Sequence, residues 1–269
     1  KLDRLFAHSR RAREELTRIP QLIDRYKKAI LAAACSGCLT SDYSKTKNWD
    51  EVKLENICNL KAGEFVSASD INSEKDFDLY SCFGGNGLRG YTKTYTHEGI
   101  FPLIGRQGAL CGNVHIAQGK FHATEHAIVV SPILDIDVDW LYYQLTALNL
   151  NKYSTGMAQP GLSVKNIKSI LVLLPSLGEQ KEIVRRIQKL FKAVDTIAAE
   201  YQQAIKRLDR LDQAILAKAF RGELVPQDPT DEPAAALLAR IQAEKLTQPK
   251  PAKAKRKPKV TPDQNALSL

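Results

Sequence analysis

The chain opens and closes its first 225 residues on the same hydrophobic rhythm. Over 1–37, apolar positions recur at alternating steps of three and four: Leu2, Leu5, Ala12, Leu16, Ile19, Ile23, Tyr26 and Ile30. Over 180–222 the same steps carry Ile183, Ile187, Leu190, Val194, Ile197, Tyr201, Ala204, Leu208, Leu211 and Ile215. A period near 3.5 residues keeps one stripe of a helix facing a partner, which is the signature of a coiled-coil seam. The stretches also match each other: "LFAHSRRAREELTRIPQLIDRYKKAILAAACSGCLT" aligns without a gap on "LFKAVDTIAAEYQQAIKRLDRLDQAILAKAFRGELV". Leu5-Phe6 falls on Leu190-Phe191, Asp24-Arg25 on Asp209-Arg210, and Gly37 on Gly222. The pattern predicts two helices, each about 50 Å long, packed antiparallel through Leu5, Leu16, Ile23 and Ile30 on one side. Ile187, Leu190, Tyr201, Leu208 and Ile215 face them from the other. Each helix ends at a glycine, the residue that tolerates the left-handed turn after a helix. Pro20 lies inside the first helix and kinks it, because proline has no N–H and crowds the preceding turn.

Between the helices the rhythm changes. From 41 to 178, short runs rich in β-branched and aromatic residues are separated by glycine and proline: "GIFPLIG", "GNVHIA", "HAIVVSP" and "KSILVLLP". These predict strands, and "VDWLYYQLTALNL" (138–150) predicts one amphipathic helix. The fold class is therefore α+β, a mixed α/β globular domain flanked by two long helices. The organisation expected is a helix over 1–40, the globular domain over 41–178 and the repeated helix over 179–225. A short helix comes next over 226–245, then a disordered basic tail over 246–269. The tail has Pro and Lys but no apolar period.

Charge narrows the partner. The 269 residues carry a net charge of +9 and a pI near 9.2, a balance that favours a polyanion, most commonly nucleic acid. No apolar run reaches the ~20 residues a membrane span requires. Five scattered cysteines and the lack of a signal peptide point to a reducing cytoplasm. Lys1 stands in mid-pattern with no initiator Met before it, so a piece of a longer protein is expected.

Several short motifs mislead. "FGGNGLRGY" places Gly85, Gly87 and Gly90 at G-x-G-x-x-G spacing, but a dinucleotide site needs a helix opening inside the motif. Beyond Gly90, "YTKTYTHEGIFPLIG" reads as strand and turn. "HATEH" matches H-x-x-E-H, whose zinc chemistry needs His122 and His126 on one helical turn; "KFHATEHAIVV" reads as a strand. Cys35-Ser-Gly-Cys38 is a lone pair, and its repeat holds Phe220 and Glu223 at those places, so packing explains it better than metal. There is no G-x-x-x-x-G-K-[ST] phosphate loop and no Asn-Pro-Pro-aromatic run of the amino-methyltransferases. No cofactor and no metal is expected.

With "CSGCLT" closing the first helix, "LPSLGEQKEIVRRI" opening the second and "AILAKAFRGELVPQDPTDEPA" ending it, the chain resembles the specificity (S, HsdS) subunit of type I restriction-modification enzymes. "IGRQGALCGNV", "TEHAIVV" and "YSTGMAQPGLSVKNI" in the middle carry the same resemblance. The resemblance implies a non-catalytic subunit that reads double-stranded DNA through a target recognition domain. The resemblance also implies that the helices act as spacers and that modification (M) and restriction (R) subunits are partners. Complete subunits of this kind carry two recognition domains. One domain between two helices corresponds to the second half of such a subunit, or to a half-size subunit that pairs with a second copy. Under this reading the candidate DNA contacts are Asn86, Arg89, Tyr91, Lys93, Arg106, Gln107, His122, Gln159 and Lys165. Arg and Gln pair bidentately with guanine and adenine, while Lys and Tyr more often hold phosphates. The competing readings are a coiled-coil scaffold that makes no sequence-specific DNA contact, and a catalytic nuclease or methyltransferase subunit.

Overall fold

The computed structural model describes residues 1–43, 49–108, 110–156, 160–226, 228, 230 and 232–247. The contact pattern divides the chain into two units: residues 8–210 form one, and residues 1–7 belong with those from 211 onward. In the second of these, Ile215 is buried and Arg221 pairs with Glu223. The short terminal helix covers Ala234–Thr247, slightly later than the sequence placed it, and the basic tail from 248 lies outside the described residues.

The first long helix is two helices in series, α1 (Leu2–Leu16) and α2 (Ile19–Cys35), with Pro20 in the first turn of α2. The joint falls where proline's missing N–H leaves the Leu16 carbonyl without its helical donor. α2 stops at Gly37, whose φ of 70° is the left-handed turn expected of a glycine there. Its repeat is one continuous helix over Leu177–Phe220, about 66 Å long at 1.5 Å per residue, ending before Gly222 at φ 73°.

Within residues 8–210 the two helices run antiparallel. Arg13 pairs with Asp209 at 2.9 Å and Lys27 with Asp195 at 2.8 Å, so the contact partners descend one helix as they climb the other. Ile30 and Ile187 are buried, with Ile23 and Leu190 packed on the same core, while Leu16, Tyr201 and Leu208 are half-buried. Several expected seam positions face outward instead, among them Ala12, Tyr26 at 53% exposed and Ile197 at 50%. A straight helix drifts about 20° per heptad from a 3.5-residue stripe, so the seam rotates away from them. Lys27 takes the inner place, its Nζ lying 5.4 Å from the centre of the Phe191 ring.

The globular part is a six-stranded sheet beside a two-stranded one. The small sheet pairs β1 (Asp50–Lys53) with a late strand, Leu171–Leu174. The one-turn helix α3 (Leu54–Ile57) leads into β2 (Cys58–Ala62). Next in the chain are β3 (Tyr80–Gly84), β4 (Gly87–Thr92), β5 (His97–Gly105), β6 (Val114–Ala123) and β7 (Ala127–Pro132). Their order in the large sheet is β2-β7-β5-β6-β3-β4, antiparallel except where β3 meets β6. Then come α4 (Val138–Ala147), α5 (Val164–Lys168), β8 (the Leu171–Leu174 strand) and α6 (the Leu177–Phe220 helix). Successive strand residues face opposite sides, and the sheet is buried on both. Ile104, Ile128 and Val130 meet Trp140, Leu141 and Leu145 of α4 and the end of the helix pair. Leu103, Phe121 and Val129 form a smaller cluster with Phe83 and Phe101 on the other face.

The entry to α6 is pinned by two adjacent polar side chains. Ser176 and Glu179 have capping-box spacing, and the Glu179 N–H donates to Ser176 Oγ at 3.4 Å. The Glu179 carboxylate turns elsewhere. It accepts from Thr40 Oγ1 at 2.8 Å and from Trp49 Nε1 at 2.9 Å while 5% exposed. Gln180 accepts from the Asp137 N–H and donates to the Pro175 carbonyl, both at 2.9 Å. Asp137 in turn caps α4 by accepting from the Trp140 N–H. We expect Glu179→Ala to cost about 1–3 kcal/mol, the penalty for leaving buried donors unpaired, measured by urea denaturation. Glu179→Gln should lose less, since its amide oxygen can hold Trp49 while its NH2 donates to the Thr40 hydroxyl.

Candidate nucleic-acid interface

β6 ends beside the start of β5, with His97 opposite Phe121, whereas β7 begins beside its end, with Gly105 opposite Ala127. Those points lie about 26 Å apart along an extended strand, yet the chain from Phe121 to Ala127 reaches only about 21 Å. The sheet must therefore curl until the two ends meet. This corrects the sequence reading of "KFHATEHAIVV" as one strand: it is strand, turn and strand, with the Ala127 N–H donating to the Thr124 carbonyl at 2.9 Å. "FGGNGLRGY" is likewise a β3–β4 hairpin whose turn is Gly85-Asn86, and Gly90 lies within β4 rather than opening a helix.

The curl presses three turns together backbone to backbone. A Cβ on Gly105 would lie 2.1 Å from the Gly85 carbonyl oxygen, and one on Gly85 would lie 2.8 Å from that of His126. Only residues without a side chain permit this approach. The Arg106 N–H donates to the His126 carbonyl at 2.8 Å. The segment before α5 joins them, with Leu162 N–H donating to the Arg106 carbonyl and Gly108 N–H to that of Pro160.

The turns enclose an open cleft of about 450 Å³ lined by Gly84–Arg89, Gln107, Gly108 and His126. Three sequence candidates, Asn86, Arg89 and Gln107, meet here with exposed side chains. Arg106 is half-buried, and its Nη1 donates to the Glu125 carbonyl at 3.3 Å, so part of its guanidinium holds the framework. A smaller hollow on the other side of Gln107 is lined by Arg106, Thr155, Gly161, Leu162 and Ser163. Ser163 caps α5, and the exposed Lys165 stands on that helix. Lys93 lines a separate hollow with Ser69, Asp70 and Asn72, while Tyr91 pairs its backbone with Asn72. His122 is 5% exposed, with Nδ1 3.1 Å from Thr94 Oγ1 and Nε2 3.2 Å from the Glu64 carbonyl; its ring is engaged inside the fold. Gln159 lies outside the described residues. His126 belongs to the cleft, although the sequence offers it only as half of a false zinc motif. His115 lies behind the hairpin, where burial lowers its pKa below 6.5 and leaves the ring neutral near pH 7.

The glycine contact makes a direct test. Gly105→Ala puts a methyl group on a backbone oxygen that no flexible side chain can vacate. We expect it to destabilise the protein by about 1–3 kcal/mol, as overpacking does, while Gly161→Ala, with only the Thr155 carbonyl 3.9 Å from its Cβ, should melt close to wild type. Thermal denaturation of the two variants checks this.

Comparison with known proteins places this arrangement. The chain is 45% identical over 145 residues to the specificity subunit of the type I restriction enzyme EcoprrI from Escherichia coli, covering 54% of this chain and 36% of that one. It is 33% identical over 293 residues to the EcoBI specificity subunit of the same organism, covering 91% of this chain and 61% of that one. The chain thus spans about a third to three-fifths of the length of these relatives. Its fold is shared with the S subunit of a type I restriction-modification system from M. genitalium, at TM-score 0.55, 17% identity and coverage of 84% of this chain and 59% of that one. It is shared also with the HsdS subunit of Thermoanaerobacter tengcongensis, at TM-score 0.51, 20% identity and coverage of 82% and 58%. The family model for the type I restriction modification DNA specificity domain matches residues 46–207, the stretch that holds all three turns and the entry to α6, and the chain belongs to that family.

Proposed function

We propose that this chain is a non-catalytic, sequence-specific DNA-binding part of a type I restriction-modification specificity subunit. It reads one half of a bipartite double-stranded target and docks modification and restriction subunits. The observation that carries the reading is the specificity-domain match over 46–207, which contains the cleft where Asn86, Arg89 and Gln107 converge. The chemistry supports it. An exposed guanidinium and two exposed amides supply the bidentate groups that distinguish guanine and adenine in the major groove. The net charge of +9 favours a polyanion at any sequence. Tyr91, Lys93 and Lys165 lie apart from the cleft, at positions suited to phosphate contacts that fix register without reading bases. His122 is left out of the interface because its ring is committed to Thr94 and Glu64.

The test is competition between target and random duplex, measured across salt concentrations. Arg89→Ala and Gln107→Ala should each reduce discrimination between the two by about fivefold or more, the equivalent of ~1–3 kcal/mol for a bidentate contact, with little change in binding to random DNA. Arg106→Ala should reduce discrimination and also lower stability, because Glu125 loses a donor. Equal loss on both duplexes would assign these side chains to phosphates. Wild-type protein that bound both duplexes equally at every salt would favour a coiled-coil scaffold instead.

A further inference from the structure

The turn at 124–126 carries a carboxylate that the framework of the cleft leaves half used. Glu125 Oε1 lies 3.1 Å from His126 Nε2, and the side chain as a whole is 30% exposed. Its other oxygen, Oε2, is shut off from solvent and has no hydrogen-bond donor. Among the described residues, two more buried polar atoms in this state, Thr124 Oγ1 and His115 Nε2, lie against the β3–β4 hairpin. A Cβ on Gly84 would lie 3.7 Å from Thr124 Oγ1, and one on Gly87 3.5 Å from the His115 ring. Buried polar atoms are nearly always paired, and each unpaired one destabilises the free protein. Two of the three, Thr124 Oγ1 and Glu125 Oε2, sit on the 124–126 turn; Thr124 is fully buried, so Glu125, whose side chain is partly exposed, is the one that a partner can reach.

The chemistry of that partner is dictated by Glu125. An ionised carboxylate only accepts hydrogen bonds. Next to DNA it is repelled by phosphates, so its favourable contact is a donor on a base. In the major groove those donors are exocyclic amines, cytosine N4 or adenine N6. The cations that would steady the flanking phosphates or acceptors are close by. Arg106 is bonded to the Glu125 carbonyl, and Arg89 and Glu125 act in opposite senses on the Cys82 thiol, which burial pushes up.

Resting on the proposed DNA-reading function, we infer that Glu125 is a specificity-determining residue whose carboxylate accepts a hydrogen bond from the exocyclic amine of one target base. Rotation of this partly exposed side chain toward the cleft, away from His126, pairs the free oxygen and relieves its burial. Discrimination is two-sided. An amine gains a charge-assisted bond, while guanine O6 or thymine O4 at the same place sets oxygen against oxygen, a repulsive element that rejects the wrong base.

The experiment selects bound duplexes from a randomised library with the full chain, wild type against Glu125→Ala and Glu125→Gln. It then repeats binding with the preferred base replaced by its analogue lacking the exocyclic amine: purine for adenine, pyrimidin-2-one for cytosine. The wild type should prefer cytosine or adenine at one position by about tenfold or more; which base it enriches identifies the amine. Glu125→Ala should lose preference at that position alone, and Glu125→Gln, neutral but still an acceptor, should keep part of it. Deleting the amine should weaken wild-type binding about tenfold and Glu125→Ala binding less than about twofold. If Glu125→Ala melts early, Glu125→Gln and the amine deletion decide the matter. Unchanged or uniformly reduced enrichment in the variants, with wild-type selectivity intact, overturns this inference alone. A wild-type chain that enriches no sequence overturns the DNA-reading function and this inference with it.

Discussion

A buried carboxylate organises the part of the molecule that connects helix to recognition domain. Glu179 stands in the first turn of α6, where the helix dipole favours negative charge. Its oxygens reach Thr40 just past α2 and Trp49 just before β1. Gln180 beside it ties the capping residue of α4. One helical turn thereby fixes both long helices, the small sheet and the main domain helix to one another. The apolar contacts of Ile30, Leu31 and Ala34 with Ile183, Val184 and Ile187 supply area. The directional bonds set the angle at which the helix pair leaves the domain. Burying a polar group is costly unless it is hydrogen-bonded, and both carboxylate oxygens of Glu179 accept from neutral donors on distant segments.

At the cleft the constraint is steric. The cleft exists because Gly85 and Gly105 let two backbones touch while the curled sheet returns β7 to the end of β6. The candidate side chains Asn86, Arg89 and Gln107 thus stand on, or on a strand beside, turns whose backbones are locked by their neighbours. A reading group gains specificity only if it is held in place before the partner arrives. Under the proposed function, a rigid β scaffold would meet that requirement rather than a helix inserted in the groove.

The two long helices were legible in the sequence because a heptad is a local signal, and the internal repeat doubled it. The strand runs were legible for the same reason. The sheet order was not. "KFHATEHAIVV" satisfies strand propensity throughout, and only the three-dimensional curl requires its break at Thr124–His126. The cleft was half legible: Asn86, Arg89 and Gln107 stood among the candidate contacts, but nothing in the sequence says that Gly85 and Gly105 touch. His126 and Glu125 were hidden inside a motif that local chemistry had ruled out for metal. His122 misled in the other direction, because nothing in the sequence says that its ring bonds to Thr94 and the Glu64 backbone. Tyr26 and Ile197 show the limit of the heptad itself, which marks a stripe but not how far that stripe drifts.

If the anchored helix pair carries the recognition domain as a rigid body, its length sets where the domain meets DNA. Inserting one heptad into each helix, within 8–35 and 177–210, would lengthen the connector by about 10 Å, or roughly three base pairs at 3.4 Å each, and preserve the seam. The decisive measurement is methylation by the assembled complex on duplexes that differ only in the spacer between half-sites. The preferred spacer should lengthen by about three base pairs, with the complex still folded. An unchanged spacer preference in a folded complex would contradict it and assign the spacing to the partner subunits.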